Sequence, residues 1–152
     1  MSVNSSKGKQ RLLTALILLT LAFIWGNSLL PPEVSWAVSD AVKDLLTVLL
    51  PGGGEGTGEG SGTLGVLVRK LAHFTEFCVL GALLAARWRD LPGERTAPLL
   101  LGLLAAAADE TIQFYTGRTS SVFDVWIDFS GVVVGAVLIV PGIVWAREHF
   151  HG

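Results

Sequence analysis

This 152-residue chain has few charged residues, a single cysteine and no excess of basic residues, and each of these features argues against a class of protein. The formal net charge is −2 and no run of Lys and Arg exceeds two residues, which disfavours nucleic-acid binding. Cys78 is the only cysteine, so an internal disulfide and a cysteine-based metal site are excluded. Only 16% of the residues are charged whereas 51% are hydrophobic, a balance typical of membrane proteins.

Four long apolar segments account for this hydrophobic excess. A helix that spans a membrane needs about 20 mostly apolar residues. Segments of this kind cover residues 12–30, 66–87, 97–116 and 125–146. We therefore predict an all-α fold, an integral membrane bundle of four transmembrane helices that forms a single domain over residues 1–152.

The first segment permits a second interpretation, as a signal peptide. Basic residues precede it, and the small residues Gly26 and Ser28 flank Asn27 as they would at a cleavage site. We predict that the first helix is retained, and its removal as a signal peptide stays an open alternative.

Residues 31–65 separate the first two segments and divide into two parts. The first part, up to Leu50, places apolar residues on one helical face and charged residues on the other, which predicts a short amphipathic helix on the membrane or against the bundle. The second part, PGGGEGTGEGSG, has the composition of a flexible linker. It lacks the lysine and the spacing of a phosphate-binding loop, so we assign no nucleotide site to it.

The basic residues are divided unequally between the two sides of the predicted bundle. The side that holds both termini has Lys7, Lys9, Arg11, Arg87, Arg89, Arg95 and Arg147. The opposite side has Lys43, Arg69, Lys70 and Arg118. Since cytoplasmic loops carry the excess of Lys and Arg, we predict a multi-pass protein of the cell membrane with both termini in the cytoplasm and residues 31–65 outside it.

Ten polar residues lie at the outer end of this predicted bundle, and we call them the polar cluster. They are Arg69, Lys70, His73 and Glu76 in the second segment, Asp109, Glu110 and Gln113 in the third, Arg118 in the turn that follows, and Asp124 and Asp128 in the fourth. An ionisable group in hydrocarbon costs about 2.5 to 3.5 kcal/mol or more, so such groups normally face the bundle interior and pair. We therefore predict that the polar cluster forms one site.

Helical geometry supports this prediction. At about 100° per residue, the four polar residues of the second segment share one face of about 120°. In the fourth segment, Gly131-x-x-x-Gly135 is a close-packing signature on the same face as Asp124, which also suits the N-cap of that helix. Trp126 points to the opposite face, where lipid would lie.

Four motifs follow one another along the chain in a specific order. They are Lys-x-x-His-Phe-x-Glu from Lys70, an acidic-x-x-x-Gln stretch ending at Gln113, Gly-Arg-x-x-Ser from Gly117, and Asp-x-x-x-Asp-x-x-Gly from Asp124. Together with the looser match IWGNSLLPPEVS, they resemble the VanZ-like family of small bacterial membrane proteins. The sequence departs from that family at Cys78 and in the length of its glycine-rich insert, neither of which touches the polar cluster.

The resemblance implies a polytopic membrane protein linked to glycopeptide resistance, chiefly to teicoplanin, without a settled biochemical activity. Three functions are compatible with it. In the first, membrane lipids are the partners, and Arg69, Lys70 and Arg118 bind the anionic group of a lipid-linked cell-wall intermediate or a lipoglycopeptide.

The second function is an intramembrane hydrolase or transferase acting on a lipid-linked substrate. The catalytic candidates are His73, Glu76 and Asp109, which would supply general acid and base catalysis. The third function is a structural ion-pair network that fixes helix register. Four segments without an internal duplication argue against a transporter.

No motif for a cofactor, a metal or a serine nucleophile supports the enzyme, so we assign no cofactor and no metal site from the sequence. Within the enzyme hypothesis, a Mg²⁺ or Zn²⁺ site stays open, with ligands drawn from His73, Glu76, Asp109, Glu110, Asp124 and Asp128. The oligomeric state is not indicated by any pattern in the chain.

Overall fold

The computed structural model describes residues 3–30, 60–89, 96–118 and 121–139, and within these ranges the chain is all-helical without a strand. This confirms the predicted all-α class. The helices are α1 (Val3–Leu29), α2 (Gly60–Trp88), α3 (Ala97–Tyr115) and α4 (Val122–Val134), and a π-helical turn, Gly135–Ile139, follows α4. The predicted amphipathic helix and the end of the fourth segment lie outside the described residues.

The helices alternate in direction, as contacts at both ends of the bundle show. Arg87 Nε donates to Thr14 Oγ1 over 3.2 Å, and Asn27 Nδ2 donates to Glu76 Oε1 over 3.5 Å, so α1 and α2 are antiparallel. Trp25 Nε1 donates to the carbonyl of Ala105 over 3.4 Å and Ser28 Oγ donates to Asp109 over 2.6 Å, so α1 and α3 run in the same direction. The end of α1, residues 69–76 in the middle of α2, the end of α3 and the start of α4 therefore meet at one place, which we call the polar end.

Glycines set the close approach of α4 to α2. A Cβ atom at Gly131 would collide with the carbonyl oxygen of Phe74, and one at Gly135 would collide with that of Cys78. The predicted close-packing face of the fourth helix is therefore confirmed, and Trp126 on the opposite side is exposed. This contact fixes the position of Asp128 relative to α2.

The core is a narrow apolar column, and much of the outer surface is apolar too. Buried residues of the column include Ile24, Phe77, Leu80 and Ala106. Many large hydrophobic side chains on the outside of the helices are exposed, among them Leu18, Leu19, Phe23, Leu100 and Leu104. Apolar surface of this extent normally faces lipid or a partner. Among the described helices, two are long and apolar enough to cross a membrane, Lys7–Leu29 and Ala97–Tyr115.

Two helix starts differ from expectation. α2 begins at Gly60, so the last glycines of the predicted linker are helical, which is tolerated at a helix end at about 1 kcal/mol per glycine relative to alanine. The N-cap of α4 is Ser121 and not Asp124, because Ser121 Oγ accepts from the backbone N–H of Phe123 over 3.2 Å. Asp124 lies instead in the first turn, where a carboxylate interacts favourably with the helix dipole.

Candidate functional site

The structure brings all ten residues of the polar cluster to the polar end. Asp109, Glu110, Gln113, Arg118 and Asp128 are buried. The others, Arg69, Lys70, His73, Glu76 and Asp124, are partly exposed. The cluster therefore has a buried centre built from α3, α4 and the turn between them, and a rim contributed mainly by α2.

Asp109 is the centre of the buried part. Its carboxylate accepts from Ser28 Oγ over 2.6 Å and from Gln113 Nε2 over 2.7 Å, and it lies 3.8 Å from His73 Nδ1. Side chains from α1, α2 and α3 thus meet on one fully buried carboxylate. Hydrogen bonds to a charged acceptor are about twice as strong as those between neutral groups, so the bond from Ser28 joins α1 to α3 at Asp109, and His73 of α2 lies beside the same carboxylate without a hydrogen bond to it.

Two α1 residues that the sequence analysis did not include contribute to this centre. Ser28 is completely buried against Asp109, and its carbonyl accepts from Thr116 Oγ1 over 3.2 Å. The backbone carbonyl of Asn27 accepts from Arg118 Nη1 over 3.0 Å. Two features of the sequence could have identified Asn27 and Ser28 as site residues. They are the polar residues near the end of the first apolar segment, and they lie within the IWGNSLLPPEVS match.

Glu110 and Arg118 hold the turn between α3 and α4. The Glu110 Oε1 atom accepts from the backbone N–H of Ser121, at the N-cap of α4. Burial, and then the nearby charge of Arg69, lowers the pKa of Arg118, whereas Asp109 and Glu110 raise it. The guanidinium stays protonated because its ordinary pKa is far above neutrality. Arg118 therefore serves as an internal cation that ties the turn to the end of α1.

The rim contains the more accessible cations. Lys70 Nζ forms an ion pair with Asp124, and these side chains are 37% and 25% exposed. Within the described part of the chain, Arg69 makes no hydrogen bond or ion pair. A cavity of about 20 Å³ opens beside them, lined by Arg69, Lys70, His73, Gln113, Asp124, Ile127 and Asp128. Such a cavity is large enough for a water molecule or an ion and too small for a head group.

Several buried polar atoms of the site lack a hydrogen-bond partner among the described residues. These are His73 Nδ1, Glu76 Oε2 and Glu110 Oε2. The cluster also holds five carboxylic acids against three permanent cations. Buried polar groups normally have partners, and among these residues His73 is the one that lines the small cavity.

A family model described as VanZ/LLP1 matches residues 12–145. The chain belongs to the VanZ/LLP1 family. This confirms the resemblance seen in the motifs, and the match includes the whole polar cluster together with Asn27 and Ser28. Comparisons with curated proteins and with solved structures gave no match.

The four motifs found in the sequence all map to the polar end. The first motif lies on the α2 rim, the acidic-x-x-x-Gln motif supplies Asp109 and Gln113, and the Gly-Arg motif supplies Arg118. Gly117 has a positive φ of 73°, which glycine adopts without strain and which reverses the chain before Arg118. These motifs therefore lie together in one three-dimensional site and the turn that closes it.

Proposed function

We propose that this VanZ/LLP1 protein is a multi-pass membrane protein whose polar end faces outwards and binds the anionic head group of a lipid-anchored ligand at its rim. Two of the described helices are long and apolar enough to span, and α2 and α4 pack beside them in alternating directions. At about 1.5 Å per residue, the 29 residues of α2 extend about 43 Å, longer than a hydrocarbon core of about 30 Å.

The orientation rests on the distribution of Lys and Arg. Four spanning helices place both termini on one side, and the seven basic residues on that side make it the cytoplasmic one. The polar end and residues 31–65 are then extracytoplasmic. This position suits a ligand of the outer leaflet, such as a lipid-linked cell-wall intermediate or a lipoglycopeptide.

Arg69 is the observation that carries the proposed binding site. Arg69 is partly exposed, lines the small cavity and, among the described residues, has no ion-pair partner. Lys70 next to it is paired with Asp124 through a partly exposed contact, and exposed ion pairs contribute only about 0 to 1 kcal/mol, which a ligand readily replaces. A planar guanidinium beside an ammonium group matches the oxygens of a phosphate or carboxylate.

A groove between α1 and α2 offers a place for the lipid tail of the same ligand. It has a volume of about 350 Å³ and is lined mostly by apolar side chains, including Leu19, Phe23 and Val79. Thr75 and Glu76 also line the groove, and they lie one to two helical turns from Arg69 along α2. A lipid-anchored molecule would therefore place its tail in the groove and its charged group on the rim.

The test is a binding titration of the purified protein in neutral detergent with a short-chain anionic phospholipid. Loss of a charge-assisted contact worth about 1.5 to 3 kcal/mol predicts that Arg69→Gln weakens binding by about tenfold or more. Arg87→Gln is the matched control, because Arg87 lies at the other end of the same helix. Equal affinities for Arg69→Gln and the parent protein would contradict the proposal.

A second candidate function, intramembrane hydrolysis or group transfer, is favoured by one specific contact. His73 Nδ1 lies 3.8 Å from Asp109 beside a cavity that admits a water molecule, which is an arrangement suited to general base catalysis. This function predicts release of a water-soluble product from a lipid-linked substrate by the parent protein and none by His73→Gln. Binding of the lipid-linked substrate without release of a product would contradict the enzyme and leave head-group binding as the proposed function.

The family link to teicoplanin resistance provides a cellular measurement for either function. Expression of the parent protein in a susceptible bacterium is expected to raise the inhibitory concentration of teicoplanin, and His73→Ala or Asp124→Ala protein, if still folded, is expected not to. Resistance that survives both substitutions would favour the ion-pair network as a purely structural feature.

A further inference from the structure

Three residues of the polar cluster, on three different helices, lie close to one another. His73 on α2, Asp109 on α3 and Asp128 on α4 each offer a ligand atom, and these atoms all lie within 4.8 Å of one another. Ligand atoms bound tetrahedrally to one Zn²⁺ ion at about 2.1 Å lie about 3.4 Å apart. The most distant of the three atoms would therefore have to approach each other by up to about 1.4 Å, about 0.7 Å for each side chain, to complete the coordination.

Asp128 gives independent evidence for a bound group. It is 2% exposed, lines the small cavity, and makes no hydrogen bond or ion pair with any other residue that the structure describes. His73 Nδ1 is also buried without a hydrogen-bond partner in the described ranges. A buried carboxylate without a partner is strongly unfavourable, and coordination of a cation is one of the few ways to satisfy it.

The charge of the cluster has the sign that a cation requires. With all five carboxylic acids ionised by binding of the cation, they exceed the three permanent cations by two, the charge of one divalent ion. Lys70 is already paired with Asp124 at the rim. The cavity of about 20 Å³ beside Asp128 and His73 has room for an ion or a water molecule.

We propose that His73, Asp109 and Asp128 bind one divalent transition-metal cation, with Zn²⁺ preferred and Mn²⁺ as the weaker alternative. One imidazole nitrogen with two carboxylate oxygens suits these ions better than Ca²⁺ or Mg²⁺, which favour all-oxygen sites. Three protein ligands leave a further coordination position open towards the cavity. Ser28 and Gln113 hold the Asp109 carboxylate in place through their hydrogen bonds, as partners of metal ligands commonly do.

The test is calorimetric titration of the untagged full-length protein with ZnCl₂, MnCl₂ and MgCl₂ after treatment with a chelator. The background carries His149→Ala and His151→Ala, which removes the other two of the three histidines in the chain. We expect one Zn²⁺ per chain. We also expect Asp128→Asn and His73→Gln to weaken its binding by at least about tenfold, because even residues that only orient ligands contribute that much.

Asp124→Asn is the matched comparison. It removes the same charge from the same helix one turn away, where the carboxylate is paired with Lys70, so it must weaken Zn²⁺ binding clearly less than Asp128→Asn does. Circular dichroism and thermal unfolding establish that each variant is folded, and the titration of the background protein is decisive even where a variant is not.

The proposal is overturned if the background protein binds neither Zn²⁺ nor Mn²⁺ stoichiometrically. It is equally overturned if Asp128→Asn and Asp124→Asn weaken binding to the same extent, because the effect would then be one of general charge. Neither result bears on the anionic head group, whose test uses Arg69 at the rim and no metal ion.

Discussion

Substitution of Ser28 by alanine tests whether α1 belongs to the site. Ser28 is completely buried, and its hydroxyl donates to the Asp109 carboxylate over 2.6 Å. The substitution removes one oxygen atom and leaves the size of the side chain almost unchanged. Its main effect is therefore the loss of a single hydrogen bond between α1 and α3.

The expected cost follows from the kind of acceptor. A hydrogen bond to a charged group contributes about 1.5 to 3 kcal/mol in soluble proteins. Hydrogen bonds between membrane helices average about 0.6 kcal/mol and reach about 1.7 kcal/mol, because the unfolded helices find other partners in the membrane. Since Asp109 keeps Gln113 as a second donor over 2.7 Å, we expect Ser28→Ala to lower the free energy of unfolding by about 1 to 2 kcal/mol.

The assay is reversible unfolding in mixed detergent micelles, followed by circular dichroism. Ser130→Ala is the matched control, because the exposed hydroxyl of Ser130 donates only to the carbonyl of Ile127 on its own helix. Surface substitutions of this kind change stability by less than about 0.5 kcal/mol. In an Asp109→Asn background, Ser28→Ala should cost clearly less than it does in the parent protein.

A Ser28→Ala protein as stable as the parent and the Ser130→Ala control would refute this reasoning. So would a mature protein that lacks α1, because the Ser28 hydrogen bond would then be absent from the membrane. N-terminal sequencing of the protein purified from membranes distinguishes these two results, and we expect α1 to be retained.

Two further predictions concern packing and topology. Gly135→Ala should lower the free energy of unfolding by about 1 to 3 kcal/mol, because its Cβ would collide with the backbone of α2, whereas Gly26→Ala, with open space around it, should not destabilise the protein. Both are measured by the same detergent unfolding, and equal stabilities would contradict the close approach. In a Cys78→Ala background, a membrane-impermeant thiol reagent added to intact cells should label Gly58→Cys but label Arg95→Cys only after permeabilisation. The reverse pattern would overturn the proposed orientation.

The α-helices were predictable from the sequence because long apolar segments determine them locally. Glycines four residues apart on α4 also predicted its contact with α2 correctly, since only a residue without a Cβ atom permits that approach. The shared face of the α2 polar residues followed from helical geometry alone.

The partners within the site were not predictable in the same way. Asn27 and Ser28 are isolated polar residues at the end of an apolar segment, and only the packing of α1 against α3 brings Ser28 to Asp109. Ser121 and Asp124 both suit an N-cap, and the choice of Ser121 depends on the turn that Glu110 holds. Whether Arg118 faces a ligand or the end of α1 likewise depends on tertiary contacts, and the structure shows its bond to the Asn27 carbonyl.

Native mass spectrometry of the protein released from membranes measures anionic head-group binding most directly. We predict that the parent protein and Arg87→Gln retain an anionic lipid through detergent exchange, that Arg69→Gln loses it, and that none of them retains a zwitterionic lipid. Retention of the same anionic lipid by Arg69→Gln, or equal retention of zwitterionic lipid by the parent protein, would contradict an anion-binding rim at the polar end.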